Sequence, residues 1–292
     1  MAMIRLCAFA DEAGEALDTQ IAALQNNHIS LIEVRGVNGK NVADLTDDEA
    51  RAAYRALRAA DITVWSVGSP LGKVPLQEAQ AHLDRVRRVC EIARLLHAER
   101  VRVFSFFESE GRGAEVKSYL ARMCEIAGEH GVVFCHENEK EIYGDTLPHV
   151  LELVQAEIKG LQFVFDPANY VQCGVDTAAA LEALFDQSAY FHIKDVIAAT
   201  GQLVPAGCGD GSVPKMIEMI AASGRDAVLT LEPHLKVFAG YGEIDNTEMQ
   251  TKYAYKTNEE SFAAAADALK ALLVACGYSE IKKEGAWIWK KA

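Results

Sequence analysis

The chain has 292 residues, half of them apolar and 24 % charged, with 21 glycines and only 7 prolines. This excludes a disordered, collagen-like or disulfide-scaffold protein, and the length allows one large domain, of the size of an α/β barrel, or two ordinary ones, in either case with a substantial core. The 42 acidic and 29 basic residues leave a net charge of −13, which argues against nucleic acid as a partner, and no apolar run approaches the roughly 20 residues of a membrane-spanning helix.

The first residues meet Asp11 and Glu12 at once, without the apolar stretch of a secretory signal. The pattern then alternates short apolar or β-branched runs with segments of helical periodicity. Strands are predicted over Ile4–Phe9, Leu31–Val34, Ile62–Val67, Val101–Ser105, Val132–Glu137, Gln162–Asp166, Tyr190–Lys194 and Ala227–Glu232. Helices are predicted over Glu15–Asn26, Asp47–Ala60, Leu76–Leu96, Ala114–His130, Thr146–Gln155, Thr177–Phe185, Pro214–Ala222 and Glu259–Val274. Thr46 ahead of Asp47, Asp48 and Glu49 has the chemistry of an N-cap followed by first-turn acids. Gly131 and Gly224 stand where a helix C-terminus favours glycine.

Eight strand–helix repeats, without an early GxGxxG turn, point to a closed (β/α)8 TIM barrel rather than an open doubly wound sheet. No linker interrupts them, so residues 1–280 are read as a single domain. Residues 281–292, with Trp287 and Trp289, form a tail that either covers the barrel's base or joins a subunit interface in a homo-oligomer. Seven scattered cysteines, odd in number and without a CxxC pair, read as reduced thiols of a cytoplasmic protein. Cys7, Cys135 and Cys90 fall in apolar patterns and are expected in the core.

In such a barrel, function lies where the strands end. Four consecutive strand ends carry metal-ligand side chains: Glu137, Asp166, His192 and Glu232, separated by 29, 26 and 40 residues, about one repeat each. Side chains alternate across a strand. Phe191 and Ile193 suit the layer beneath the helices, which turns His192 and Lys194 inward. Glu232 shares its face with Thr230, and Glu137 with Cys135, while His136 has the opposite parity. A single Asp or His at a strand end is ordinarily a satisfied polar residue, but four in sequence are poorly explained that way. Three carboxylates and an imidazole on one axis repel and desolvate one another unless a cation joins them. The set suits one divalent ion, Mn²⁺, Mg²⁺, Co²⁺ or Zn²⁺, and does not itself choose among them; Mn²⁺ is taken as the expected ion.

At these residues the sequence resembles the xylose isomerase-like barrels: sugar isomerases and epimerases, inosose dehydratases, hydroxypyruvate isomerases and apurinic endonuclease relatives. The resemblance rests on Cys135-His136-Glu137-Asn138, Phe165-Asp166-Pro167-Ala168-Asn169, Phe191-His192-Ile193-Lys194-Asp195, Gly207-Cys208-Gly209-Asp210-Gly211 and Leu231-Glu232-Pro233-His234. It implies that Glu137, Asp166, His192 and Glu232 bind the ion, and that Glu137 and Glu232 exchange a proton at a sugar carbon through a metal-stabilised enediolate. The expected activity is therefore isomerisation or epimerisation of a small sugar, sugar phosphate or related polyol. An inosose-type dehydratase on the same site and a non-catalytic sugar-binding barrel are the alternatives.

Departures from the relatives narrow this. The extra histidines of the three-metal endonucleases are missing, which with the acidic charge argues against DNA repair. Ketose 3-epimerases place a substrate-touching His three residues after the strand 6 Asp and an Arg six after the strand 7 His; this chain has Asn169 and Ala198 there. Further candidate substrate contacts have structural readings beside them. Lys194 either holds a substrate oxygen or pairs with an acid, Glu33 reaches a hydroxyl or forms a salt bridge, and His234 serves the site or only its loop. Gly207, Gly209 and Gly211 form either a phosphate cradle or a tight turn. The long stretch Pro233–Asn258, with Phe238, Tyr241, Tyr253 and Tyr255, is expected to be a lid or dimer contact rather than a free loop.

Overall fold

Eight parallel strands follow one another in chain order and close on themselves. They are β1 (Met3–Ala8), β2 (Leu31–Val34), β3 (Thr63–Gly68), β4 (Arg100–Val103), β5 (Val133–Glu137), β6 (Leu161–Phe165), β7 (Ser188–Ile193) and β8 (Ala227–Leu231). Each pairs with its neighbour, and β8 returns to β1 through Ile4↔Ala227 to Ala8↔Leu231. The computed structural model describes residues 3–239, 241–244 and 248–291. Gly240 and residues 245–247, which fall within the long stretch singled out above, lie outside the described residues. None of the described helices is long and apolar enough to cross a membrane.

The helices are α1 (Leu17–Asn26), α2 (Asp47–Ala59), α3 (Ala79–Leu95), α4 (Gly113–Glu129), α5 (Leu147–Gln155), α6 (Pro167–Gln172), α7 (Thr177–Leu184), α8 (Val213–Ser223), α9 (Tyr241–Ile244) and α10 (Asn258–Ala275). At α2 the Thr46 hydroxyl accepts from the Glu49 N–H, and the Glu49 carboxylate accepts from the Thr46 N–H, a reciprocal cap that contributes about 1 kcal/mol. Every predicted strand and helix is present with ends displaced by no more than three residues. Helix α3 starts latest relative to expectation, because Leu76–Glu78 form a separate 3-10 turn ahead of it.

Period-two alternation sorts the strand residues into two cores. Phe191 and Ile193 join Ile4, Leu6, Val34, Phe134 and Leu229 between strands and helices. Cys7, Leu31, Cys135, Val164, Tyr190 and Val228 pack inside the barrel below its C-terminal mouth, with Trp65 against them. An extra residue in β3, where Ile32 pairs Val64 but Glu33 pairs Ser66, lets both Trp65 and Ser66 reach Tyr190. Cys7, Cys90 and Cys135 are fully buried, and all seven cysteines are free thiols.

The C-terminal residues are part of the sheet. Strands β9 (Tyr278–Lys283) and β10 (Ala286–Lys291) form an antiparallel hairpin. Strand β10 pairs with Met3 and Ile4 at the start of β1, while Cys7 and Ala8 further along pair with β2. The hairpin thus fills the wedge between β1 and β2 at the barrel's N-terminal end. Trp289 enters the core, Trp287 stacks on His28 at 4.0 Å, and the Trp287 N–H donates to Ser30 Oγ.

Candidate metal centre

Strand β5 ends on Glu137, Asp166 follows β6, His192 lies in β7, and Glu232 follows β8. All four are buried, and one ligand atom from each lies within 4.8 Å of the others. His192 Nδ1 is their hub, 2.9 Å from Glu137 Oε1, 3.1 Å from Glu232 Oε2 and 3.9 Å from Asp166 Oδ2. Lys194, inward like His192, brings its Nζ to 3.2 Å from Asp166 Oδ2 and 4.0 Å from Glu232 Oε2. His136 faces the other way, bonded to Ser105 Oγ at 2.9 Å, as its parity requires.

Each member is oriented by a second contact. His192 Nε2 meets Glu33 Oε2 at 3.3 Å, and Glu33 Oε1 accepts from the Tyr190 hydroxyl at 2.9 Å. A carboxylate on the far nitrogen leaves Nδ1 as the ligand atom. Asp166 caps α6 by accepting from the Asn169 N–H at 2.8 Å through Oδ1, which leaves Oδ2 for the cluster. Asn138 locks the same turn, exchanging hydrogen bonds with the Asp166 backbone at 2.8 and 2.9 Å. Asn169 Nδ2 donates to Asn138 O at 2.9 Å and lies 3.4 Å from Glu137 Oε1. Arg102 Nη1 donates to Glu137 Oε2 at 2.6 Å, and Arg35 Nη1 to Glu232 Oε1 at 2.9 Å.

The electrostatics follow from burial and proximity. Burial alone would depress the His192 pKa, yet the Glu137 and Glu33 charges hold it well above the usual imidazole range. Burial pushes Glu137 up, but His192 and Arg102 outweigh it and bring the group to about 2. Glu232 is likewise held well below the carboxylate range, with Lys194 and His192 overcoming burial. Burial raises Asp166 to about 7, offset only in part by Lys194.

The residues fit a divalent ion. Asp166 Oδ2 and Glu232 Oε2 are buried oxygens that accept no well-aligned hydrogen bond, although Lys194 and His192 stand near. Such atoms are costly to bury unless something cationic meets them. Three carboxylate oxygens and one imidazole nitrogen are donors for Mn²⁺, Mg²⁺, Co²⁺ or Zn²⁺. A second cluster of ligand type, Glu12, Glu232 and His234, already holds a cation. Arg35 places its guanidinium against Glu232, Glu12 and Asp11, with Asp11 engaged through both carboxylate oxygens.

The candidate substrate contacts divide. Glu33 is spent on His192 and Tyr190, and Asn169 is buried among ligand residues. Lys194 and His234 stand at the mouth. His234 has a left-handed backbone, φ 45°, and its N–H donates to Glu12 Oε2 at 2.8 Å. Its ring packs near Phe238 and Tyr241, and Phe238 lies over the Arg35 guanidinium at 4.8 Å. His234, Phe238 and Tyr241 thus fold over the barrel mouth, while Gln250 and Lys252 bond with Leu203 in the loop after β7. The glycine turn is tied down by Asp195, whose carboxylate accepts from the N–H groups of Gly207, Gly209 and Gly211 at 2.8, 3.0 and 2.9 Å. A Cβ at Gly209 would collide with that carboxylate and with the Val196 carbonyl. These amides are engaged by an internal anion, so the turn reading explains the glycines.

Arg35, Arg102 and Tyr190 contact Glu232, Glu137 and Glu33, and the motif reading passed over them. The signal was present, since Arg35 shares the face of Glu33 and Tyr190 that of His192.

Comparison with known proteins follows this geometry. None of the curated proteins matches the chain. Among solved structures, an L-ribulose 3-epimerase superposes with a TM-score of 0.72 at 16 % identity, over 94 % of this chain and 96 % of that one. The 3-keto-D-glucoside 4-epimerase YcjR of E. coli gives 0.65 at 15 %, over 94 % and 100 %. The probable 3-DHS dehydratase AsbF of Bacillus anthracis gives 0.66 at 16 %, over 92 % and 99 %. At these identities the likeness is one of fold. A family model covers residues 22–272, and the chain belongs to the family it describes, the xylose isomerase-like TIM barrels.

Proposed function

We propose that the protein is a divalent-metal-dependent isomerase or epimerase of a small sugar or related polyol. The observation that carries this reading is the approach of Glu137 Oε1 and Glu232 Oε2 to one point, His192 Nδ1, at 2.9 and 3.1 Å, inside a four-residue ligand set. Two bases around one ligand cluster are what exchange of a carbon-bound proton requires. The epimerases among the fold neighbours support the substrate class.

Glu137, Asp166, His192 and Glu232 would hold the ion, whose chemistry when bound is Lewis-acid polarisation of the substrate's oxygens. One glutamate accepts the proton from the carbon beside the carbonyl. The C–H electron pair forms a C=C bond and the carbonyl oxygen takes the negative charge. The second glutamate, protonated from solvent, returns a proton to the opposite face, re-forms the C=O and inverts the carbon; delivery instead to the former carbonyl carbon, with the neighbouring hydroxyl proton passing to the former carbonyl oxygen, moves the carbonyl. Lys194 donates to a substrate oxygen at the mouth, and His234 and Phe238 close over the bound molecule. With the Gly207–Gly211 amides held by Asp195, an unphosphorylated substrate is the better match.

A dehydratase among the fold neighbours keeps one second reading: the same proton abstraction followed by expulsion of a β-hydroxyl. One experiment separates the two. Mn²⁺-loaded protein is incubated in D₂O with a panel of ketoses, ketose phosphates and inososes, and followed by proton NMR. Deuterium entering at carbon without loss of water is the expected result. Exchange with elimination selects the dehydratase, and a metal-loaded protein that exchanges nothing across the panel overturns the reading.

A further inference from the structure

The two glutamates that the proposed function treats as both ligands and bases face a conflict. A carboxylate that gives both oxygens to a metal has none left to move a proton. At each glutamate one oxygen is withheld from the cluster. Glu137 turns Oε1 to His192 Nδ1, while Oε2 receives Arg102 Nη1 at 2.6 Å. Glu232 turns Oε2 to the same nitrogen, while Oε1 receives Arg35 Nη1 at 2.9 Å. Both arginines are buried and held by other contacts. The Arg102 guanidinium lies 4.5 Å from the Phe104 ring and 5.4 Å from the Phe9 ring. Arg35 sits between Phe9 at 4.4 Å and Phe238 at 4.8 Å, with Asp11 binding its fork. A planar donor set in a fixed pocket constrains direction in a way that a flexible ammonium does not.

We infer that Arg102 and Arg35 are positioning residues which hold one oxygen of Glu137 and one of Glu232 away from the ligand cluster, so that each glutamate meets the ion through a single oxygen and its arginine-held oxygen is fixed in direction, with its second lone pair left for the proton. Different strands supply the clamps, Arg102 from β4 and Arg35 just beyond β2, yet both act on the same feature of their glutamate. The inference rests on the proposed function, and it makes an unusual prediction. Removing a clamp makes the site more negative and frees an oxygen, so the ion binds more tightly while proton exchange is lost.

The test is Arg102→Met and Arg102→Lys in the full chain, with two readouts. Mn²⁺ affinity is measured by titration followed with electron paramagnetic resonance, and deuterium incorporation is measured on the substrate identified in the D₂O panel. For Arg102→Met the expected result is Mn²⁺ affinity raised roughly tenfold or more, with exchange lowered roughly 100-fold. Arg102→Lys keeps the charge but loses the planar guanidinium and its fixed direction, so affinity should stay within about threefold while exchange still falls at least about tenfold. A structural role alone would weaken metal binding and exchange together, and that result overturns the inference. So does wild-type exchange in Arg102→Lys, which would mean that charge suffices without direction. If Arg102→Met does not fold, the lysine variant and Arg35→Lys, read the same way, decide. A wild-type protein that binds no Mn²⁺ overturns the proposed function and this inference with it, whereas wild-type binding with unchanged variant ratios overturns only the inference.

Discussion

The two ends of the barrel use the same strands and the same alternation for opposite purposes. At the mouth, inward positions carry Glu33, Arg102, Glu137, His192 and Lys194, and beyond the strand ends Arg35, Asp166 and Glu232, a buried array in which charge meets charge. At the N-terminal end the inward charges are Arg5 and Arg100, and they lie against an indole, Trp65, at 5.1 and 4.1 Å. The β9–β10 hairpin then wedges against β1. One end is stabilised by packing, and the other holds carboxylates met by guanidinium, ammonium and imidazole groups, with Asp166 Oδ2 and Glu232 Oε2 left without a well-aligned hydrogen bond. Buried ionic clusters are poor sources of stability, so the mouth's expense makes sense as chemistry, and the base supplies the rigidity it needs.

Substitutions at the two ends should therefore separate activity from stability. The largest effect is expected for Glu232→Gln, which keeps the shape of a ligand and removes a base. Proton exchange should fall roughly 1,000-fold with the melting temperature little changed, as measured by D₂O exchange and a thermal melt. Full turnover in this variant would remove Glu232 from the mechanism. The converse is Trp289→Ala at the base. Trp289 is 4 % exposed within the main core, and truncating it should cost about 3–5 kcal/mol in a urea titration. Mn²⁺ affinity in the folded fraction should stay at the wild-type value, and a parallel loss would show that the ends are coupled.

How much of this could be read beforehand differs between the ends for a physical reason. Most of the strands were legible because they bury both faces and read as dense apolar runs, and β4 because Arg100-Val101-Arg102-Val103 alternates. The clustering of Glu137, Asp166, His192 and Glu232 was legible because parity and the repeat length place them together. The tail was not, since Tyr278–Lys283 alternates weakly and carries charges at Glu280, Lys282 and Lys283. Nor were the short hairpins Gly36–Val37 with Lys40–Asn41 and Asp195–Ile197 with Gln202–Val204, which are too brief to show a period. Helix α6 carried its start signal in Asp166-Pro167 but spans only six residues. The role of Glu33 was open because a sequence does not show that Tyr190 and His192 converge on it from across the barrel.

The mouth should also be the acid-sensitive end. His82 on α3 accepts a hydrogen bond from the Gly72 N–H at 3.1 Å through Nε2, which fastens the loop after β3. Burial lowers its pKa from 6.5 to about 4, with Arg85 adding to the shift. Between these values the unfolded chain binds the proton that the folded chain refuses. The His82 contribution is therefore complete above pH 6.5, falls as the pH drops, and by pH 4 has lost up to about 3 kcal/mol. Urea titrations of wild type and His82→Gln should converge between pH 7 and pH 4.5. A constant gap would mean that the imidazole is not held neutral.

The smallest effect is the most discriminating for the metal. Glu33 touches no ligand oxygen; it meets His192 at Nε2 and is itself fixed by Tyr190. In Glu33→Gln the amide keeps the volume and the Tyr190 contact but can turn its NH₂ toward the imidazole, favouring the tautomer with the proton on Nδ1. That proton stands where the proposed ion would bind. Mn²⁺ affinity should drop roughly 10–100-fold, with no change in the melting temperature of the metal-free protein beyond a few degrees. If Glu33 instead served a substrate hydroxyl, the same substitution would leave Mn²⁺ binding intact and raise KM alone. The two roles predict different columns of one experiment, and the burial of Glu33 beneath His192, at 1 % exposure, favours the first.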